Sequence, residues 1–251
     1  MKLNRTAYGE GPPFVIAHGL FGSGRNWTSF AKAAADWRAI TVDLRNHGDS
    51  PWDAAMDYPA MGNDLLELIA GAEDGPAVLL GHSMGGKASM AAALIRPDAI
   101  AALIVVVYGH SHANYIGLLQ ALDLDKITRR SDADAALAGD IPDPGLRQFL
   151  LQNLDFKDTP PRWKPNLAAI DANMQALTDF PFEASEKTYD GPALFIAGSE
   201  SAYVTPESHD AIRAFFTEAQ IEVIEGAGHW VHAEKPEEFG ALVKKFLTEQ
   251  V

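Results

Sequence analysis

Apolar residues recur along the chain in short, partly β-branched runs that are separated by longer stretches of mixed character. Five runs cover residues 14–17, 39–42, 77–80, 101–107 and 193–197, and a weaker one covers residues 221–224. Continuous apolar runs of this length are typical of strands that are buried on both faces. The pattern therefore predicts the central strands of a sheet that is covered by other elements on both sides.

Helical patterns fill the intervals between these runs. Residues 61–69 carry an apolar stripe, and residues 84–95 are rich in alanine and stop before Pro97. A last helix is predicted from Pro236 onward, because proline suits the first turn of a helix. Strands that alternate with helices indicate an α/β fold with a mostly parallel, doubly wound sheet.

Residues 108–187 interrupt this alternation. The region carries helical patterns at residues 116–122, 144–153 and 167–177, several prolines, and no convincing strand. We therefore predict a core formed by residues 1–107 and 188–251, with a helical cap inserted as residues 108–187. Helices placed over the carboxyl edge of the sheet would form a lid above a site at that edge.

Composition narrows the range of functions. The 20 Lys and Arg residues against 34 Asp and Glu residues give a formal net charge of −14. Such a chain repels phosphate backbones and anionic lipid, so neither nucleic acid nor a membrane is an expected partner. The absence of cysteine excludes disulfides, thiolate metal ligands and a cysteine nucleophile. The first residues lack an apolar signal segment, and the longest apolar run is too short to span a bilayer, so we expect a cytoplasmic protein.

A serine lies between glycines where the third apolar run ends. Residues 81–85 read Gly-His-Ser-Met-Gly, which fits the pattern G-x-S-x-G. The pattern alone is common, but here it closes a buried strand and opens a helix, which is the context of a nucleophile elbow. Gly81 and Gly85 would let the strand and the helix approach closely around a strained serine. Ser83 is therefore the candidate nucleophile, and the alternative is a glycine-rich turn with an incidental serine.

A reactive serine needs a base and donors for the oxyanion. His229 ends the loop Glu-Gly-Ala-Gly-His between the last predicted strand and the last helix, which suits the order serine, acid, histidine. The alternative is an ordinary surface histidine. The backbone N–H of Met84 and that of Leu20, or of its neighbour Phe21, are predicted to bind the oxyanion.

The sequence gives little support for a bound dinucleotide or a metal ion. The glycines of residues 18–24 are spaced G-x-x-G-x-G rather than G-x-G-x-x-G, so Asp43 does not complete a dinucleotide-binding fingerprint. The pairs His110 with His112 and His229 with His232 lack convincing partner carboxylates for a metal. We therefore expect neither an organic cofactor nor a metal.

The chain resembles the α/β-hydrolase superfamily, and within it the small bacterial serine carboxylesterases with a helical cap. The matching stretches extend from residue 16 to residue 239 and read IAHGLFGSGRNW, VDLRNHGDSPW, LLGHSMGGKASM, RWKPNLAAI and GAGHWVHAEKPEEF. The resemblance implies hydrolysis of carboxylic esters through an acyl-enzyme, without a cofactor. Serine rather than aspartate at position 83 disfavours the haloalkane dehalogenase and epoxide hydrolase branches.

The acid of the catalytic triad is not where the resemblance implies it. After residue 107 similar esterases continue into an Asp-Ile-Ala-Pro-like stretch, whereas this chain reads Tyr-Gly-His-Ser. The other common position falls at Ser201 or Ala202, and neither is an acid. Glu200 is the nearest carboxylate and our candidate for the acid, and Glu207 and Asp210 lie a little beyond it.

The sequence thus predicts an esterase for small, largely uncharged esters, with Ser83, His229 and Glu200 as its catalytic residues. Candidate substrate-binding or apolar wall residues are aromatic, and they are Phe21, Tyr115, Phe149, Trp163, Phe180 and Trp230. Two alternatives stay open: a weakened hydrolase or small-molecule binding protein without the acid, and a C–C hydrolase or perhydrolase that uses the same serine and histidine.

Overall fold

The computed structural model describes residues 1–72, 75–106, 115–201 and 206–251, with the backbone alone for residues 206 and 207. The strands are β1 (Arg5–Tyr8), β2 (Pro13–Ala17), β3 (Arg38–Val42), β4 (Ala77–His82), β5 (Ile100–Val106), β6 (Leu154–Asp155), β7 (Arg162–Trp163), β8 (Ala193–Gly198) and β9 (Ala219–Ile224). The helices are α1 (Thr28–Ala33), α2 (Tyr58–Ala70), α3 (Met84–Ile95), α4 (Ile116–Gln120), α5 (Arg130–Leu137), α6 (Pro144–Leu151), α7 (Leu167–Ala172), α8 (Met174–Thr178), α9 (Pro206–Phe215), α10 (Val231–Glu234) and α11 (Pro236–Gln250).

Seven strands form one sheet in the order β1-β3-β2-β4-β5-β8-β9. β1 pairs antiparallel with β3, and every other pair in the sheet is parallel. The chain leaves β2 toward one edge through β3 and then returns to β4, from which it builds the other edge. A crevice is expected at the carboxyl ends of β2 and β4, where the direction of winding reverses.

Alternate residues of the central strands supply two separate hydrophobic cores. In β4, Leu79 packs into the core that also contains α2 and α3, whereas Val78 and Leu80 pack into the core with α1 and α11. A strand turns successive side chains to opposite faces, so each central strand contributes side chains to both cores. The mostly parallel, doubly wound sheet predicted from the apolar runs is thereby confirmed, and each predicted run coincides with a strand except at Val107, which lies outside the described residues.

Several elements differ from the sequence prediction. β1 was not predicted, because its residues are mostly exposed and it forms an antiparallel edge rather than a buried centre. The region predicted to lack strands contains the short antiparallel pair β6 and β7. The helix predicted over residues 167–177 is divided at Asn173, whose side-chain amide donates to the carbonyls of Ala169 and Ala54.

Between β5 and β8 the described chain, residues 115–187, adds helices and the small hairpin but no strand to the main sheet. We call these residues the inserted segment; its predicted beginning at residue 108 lies outside the described residues. Polar side chains tie the segment to the sheet layer. Asn153 Nδ2 donates to the carbonyl of Phe21 at 2.7 Å, and Tyr58 Oη donates to the carbonyl of Leu177 at 2.6 Å.

None of the helices in the described ranges combines the length and the hydropathy that crossing a lipid bilayer requires.

Candidate active site

Ser83 occupies a strained turn between β4 and α3. Its backbone has φ 53° and ψ −117°, a region that a residue with a side chain rarely adopts. A Cβ on Gly81 would lie 2.2 Å from the carbonyl oxygen of Gly85, and a Cβ on Gly85 would lie 2.4 Å from that of His18. The turn holds strand and helix so close together that both positions require glycine. It presents the serine at the end of the strand.

The loop that carries His229 follows β9 and packs against the end of β8. A Cβ on Gly198 would lie 2.1 Å from the carbonyl oxygen of Ala227, and the backbone N–H of Glu200 donates to the same oxygen at 2.9 Å. From the elbow side, Nε2 of His82 donates to the carbonyl of His229 at 3.0 Å. The residue before the candidate nucleophile therefore holds the backbone of the candidate base.

Burial lowers the pKa of His229 below the ordinary value for imidazole, and the negative charge of Glu234 partly opposes this shift. Burial also lowers the pKa of His232 to about 4 and that of His82 well below its usual range. The rings of His229 and His232 each lie 4.9 Å from that of His82. At neutral pH His229 is therefore largely unprotonated and able to accept a proton.

The loop after β2 supplies backbone N–H groups beside the serine. Phe21 has a positive φ of 60°, and its N–H donates to Nε2 of His47 at 3.2 Å. Burial lowers the pKa of His47 to about 3, which keeps that nitrogen an acceptor. Because the N–H of Phe21 is engaged, Leu20 is the better of the two predicted donors. The second predicted donor, Met84, is the first residue of α3, where N–H groups have no partner within the helix.

A cavity of about 580 Å³ brings these groups together. Among the described residues its wall is mostly apolar, and α6 of the inserted segment faces the sheet edge across it. The lining residues include Leu20, Phe21, Ser83, Tyr115, Asp143, Leu146, Phe149, His229, Trp230 and Glu234.

Some predicted site residues lie elsewhere. Trp163 and Phe180 are not among the residues that line the cavity; both pack against the core shared by α2, α3 and the inserted segment. The indole N–H of Trp163 donates to the carbonyl of Leu119 at 3.1 Å. Glu200 is exposed and its side chain is also absent from the cavity wall, whereas Ala202 and the side chain of Glu207 lie outside what is described.

Sequence reasoning missed Glu234, the carboxylate that acts electrostatically on His229. Its side chain accepts hydrogen bonds from the N–H groups of Gly228 at 2.6 Å and Trp230 at 3.1 Å. The available signal was an acidic residue in the same motif as the histidine, but the motif reads equally well as the start of a helix with a solvated charge.

The structure also accounts for Asp43, which follows the glycine-rich loop. Its carboxylate accepts from the N–H groups of Gly24 at 2.8 Å and Asp49 at 2.9 Å, and from the side-chain amide of Asn4 at 2.8 Å. Asp43 thus fixes two loops rather than facing a ribose. In the part of the chain that the structure describes, no group of three or more His, Asp or Glu residues could hold a metal ion; His110 and His112 are outside that part.

Comparison with known proteins relates this site to enzymes. A family model described as alpha/beta hydrolase fold matches residues 12–236. Esterase YbfF of Escherichia coli is 35% identical over 263 residues, an alignment that covers 99% of this chain and 100% of the relative. The sn-1-specific diacylglycerol lipase ABHD11 of Mus musculus is 39% identical over 251 residues, covering 94% of this chain and 81% of the relative.

Among solved structures, one described as a marine microorganism esterase superposes with a TM-score of 0.91 at 33% sequence identity. The superposition covers 98% of this chain and 99% of that chain. The likeness therefore extends over the sheet and the inserted segment together.

Proposed function

This chain belongs to the α/β-hydrolase family, and we propose that it hydrolyses small carboxylic esters through a covalent acyl-enzyme intermediate. The observation that carries the proposal is Ser83, held at φ 53° in the turn between β4 and α3 and lining one cavity with His229. A strained serine that shares a cavity with a neutral imidazole is an arrangement suited to nucleophilic catalysis. The relatives named as esterases and a lipase support ester hydrolysis as the reaction.

In the first half-reaction, Ser83 Oγ attacks the ester carbonyl carbon while His229 accepts the hydroxyl proton. The carbonyl oxygen becomes an oxyanion, which the N–H groups of Leu20 and Met84 stabilise in this proposal. The bond to the alcohol oxygen then breaks, and the protonated His229 gives its proton to the leaving alcohol. The products of this stage are the free alcohol and the acyl group on Ser83.

In the second half-reaction, water attacks the acyl carbon and gives a proton to His229. The new tetrahedral intermediate collapses, the bond to Ser83 Oγ breaks, and His229 returns the proton to that oxygen. The carboxylic acid leaves and the enzyme is restored. The lowered pKa of His229 suits this cycle, since the residue must begin each half-reaction unprotonated.

The cavity supports an apolar acyl group as the part of the substrate that is recognised. Leu146 and Phe149 on α6 line a space of about 580 Å³ together with the loop residues Leu20 and Trp230. Burying each methylene of an acyl chain there contributes about 0.8 kcal/mol. Esters with short to medium aliphatic acyl chains are therefore the proposed substrate class.

The test is the rate of hydrolysis of p-nitrophenyl acetate and butyrate by the unmodified protein, Ser83→Ala and Ser185→Ala. We expect Ser83→Ala to lower kcat by about a thousandfold or more, because the nucleophile is removed. Ser185 is exposed and outside the cavity wall, so its variant serves as the matched serine control and should retain full activity.

An organophosphonate identifies the reactive residue independently of turnover. Mass spectrometry should find the adduct on the peptide that contains Ser83 and on no other serine. If the unmodified protein neither hydrolyses the esters nor is labelled, the esterase proposal is wrong and a binding role on the same fold is the better account. Hydrolysis that persists in Ser83→Ala would also contradict it.

A further inference from the structure

The loop that carries the base is held by one carboxylate on both sides of the histidine. Oε2 of Glu234 accepts from the N–H of Gly228 at 2.6 Å, and Oε1 accepts from the N–H of Trp230 at 3.1 Å. These donors are the residues immediately before and after His229. A single carboxylate with two bonds therefore fixes the peptide planes on either side of the imidazole.

Other hydrogen bonds hold this loop at different atoms, and one of them joins the N–H of Gly226 to Oγ of Ser199 at 2.9 Å. His82 fixes the carbonyl of His229, and the N–H of Glu200 fixes the carbonyl of Ala227. Both of these partners bind carbonyl oxygens, whereas Glu234 binds N–H groups. Hydrogen bonds from N–H donors to an ionised acceptor are stronger than those between neutral groups, so Glu234 holds the two peptide groups beside His229 more firmly than a neutral acceptor would.

Charge adds a second effect in the same direction. The titratable groups that face His229 in the described chain are His82 at the end of β4, and His232 and Glu234 on α10. Burial keeps both of these histidines neutral, so Glu234 is the charged member of the set. Its negative charge favours the imidazolium that forms when Ser83 loses its proton.

We propose that Glu234 is the positioning residue of the catalytic histidine: its carboxylate orients the His229 loop and stabilises the imidazolium during turnover. This inference rests on the proposed function. Glu234 thereby performs part of the role of the acid in a serine–histidine–acid triad, a role that the sequence pattern predicts for Glu200. Both carboxylates are exposed, but Glu234 lines the cavity beside His229, whereas Glu200 does not.

The experiment is steady-state hydrolysis of p-nitrophenyl butyrate across pH by the unmodified protein, Glu234→Gln, Glu234→Asp, Glu200→Gln and Glu237→Gln. Glu234→Gln removes the charge and leaves one acceptor for two donors. We expect kcat to fall about tenfold with little change in KM, because misplacement of the base slows chemistry without weakening substrate binding. Glu237 is exposed on the first turn of α11, and its variant is the matched control, with unchanged kcat.

The pH profile separates this role from a merely structural one. Without the negative charge, burial acts on His229 unopposed, so the acidic limb of kcat/KM should move to lower pH by about half a unit. Glu234→Asp keeps the charge but shortens the side chain. It should keep the limb of the unmodified protein and show a kcat between those of the unmodified protein and Glu234→Gln.

Three results would overturn the inference. One is a Glu234→Gln variant with the kcat and the acidic limb of Glu237→Gln. Another is a loss of kcat with an unmoved limb in a folded Glu234→Gln variant, and the third is a larger loss in Glu200→Gln. Should Glu234→Gln fail to fold, a Glu234→Asp variant with the full kcat of the unmodified protein would be equally decisive.

Failure of the proposed function has a different signature. If Ser83→Ala is inactive and Ser83 is labelled by an organophosphonate, the esterase mechanism holds whatever the Glu234 variants do. If Ser83→Ala keeps its activity, the mechanism itself is wrong, and the behaviour of Glu234 has no bearing on it.

Discussion

Gly81 shows how one missing methyl group permits the geometry of the elbow. A Cβ there would lie 2.2 Å from the carbonyl oxygen of Gly85 and 2.5 Å from Oγ of Ser89. The first of these atoms is backbone and cannot rotate away. We expect Gly81→Ala to destabilise the protein by about 3 kcal/mol and to lower kcat, because relief of the clash must displace α3 and with it Ser83.

Urea unfolding measures the change, and Gly240→Ala is the matched control. Gly240 lies inside α11, and a Cβ there meets no atom within 4 Å. Alanine is the better helix former, so this variant should gain about 0.5–1 kcal/mol. Equal stabilities for the two alanine variants would contradict the account of the elbow.

The candidate site residues differ in how well a sequence pattern predicts them. Ser83 and its glycines are local, since strand, turn and helix are contiguous, and the pattern therefore predicts them together. Glu234 acts through hydrogen bonds to Gly228 and Trp230, and these depend on the loop conformation. A sequence shows that residue 234 is charged but not where its side chain points. The family pattern directed attention to the residues after β8, where Glu200 is the nearest carboxylate.

At the scale of elements, burial decides what can be predicted. The central strands read as continuous apolar runs because both of their faces are covered. β1 is short and mostly exposed, so its sequence carries no such run. β6 and β7 have two residues each, which is too few for an alternating pattern to be recognised. The division between α7 and α8 depends on the contact of Asn173 with Ala54, which is remote in sequence.

A buried lysine joins two of these elements. Lys87 on α3 is 1% exposed, and its Nζ donates to the carbonyl of Thr178 at the end of α8 at 2.8 Å. Burial lowers the pKa of Lys87 to about 8, and Asp179 opposes part of this shift. In the unfolded chain the group has its ordinary pKa of 10.5, so between about pH 8 and 10.5 the unfolded chain binds a proton that the folded protein does not.

The stability of the unmodified protein relative to Lys87→Met should therefore rise with pH through that range. Methionine keeps the length of the side chain and does not titrate, and all other titrating groups are common to both proteins. The measurement is the free energy of unfolding in urea at several pH values from about 7 to 10.5. A difference between the two proteins that stays constant over this range would show that Lys87 keeps an ordinary pKa.

At the scale of the whole molecule, the site is assembled from parts that are far apart in sequence. The loop of the proposed oxyanion donor Leu20 follows β2, Ser83 follows β4, His229 follows β9, and α6 of the inserted segment lines the same cavity. The parallel sheet brings the first three together because the carboxyl ends of its strands share one edge. Sheet order and the direction of the strands thus explain why three separate motifs could be assigned to one site.

The charge of the whole molecule also acts at this site. The formal net charge is −14, and the described cavity wall contains the carboxylates of Asp143 and Glu234 but no Lys or Arg. A negative potential at the mouth repels anionic substrates and lowers their rate of entry. The cavity should therefore select against an ester whose acyl group carries a distal carboxylate. This electrostatic effect adds to the loss of apolar contact that the carboxylate causes.

Rates for p-nitrophenyl valerate and the anionic p-nitrophenyl glutarate, which have acyl chains of similar length, measure this selection. We expect kcat/KM for the neutral ester to be at least about tenfold higher at low salt, and the ratio to fall severalfold in about 0.5 M NaCl, because salt screens charges beyond a few ångströms. Asp143→Asn should also lower the ratio, and asparagine preserves the N-cap bond to Gly145 that begins α6. A ratio that neither salt nor Asp143→Asn changes would assign the selection to apolar contact alone.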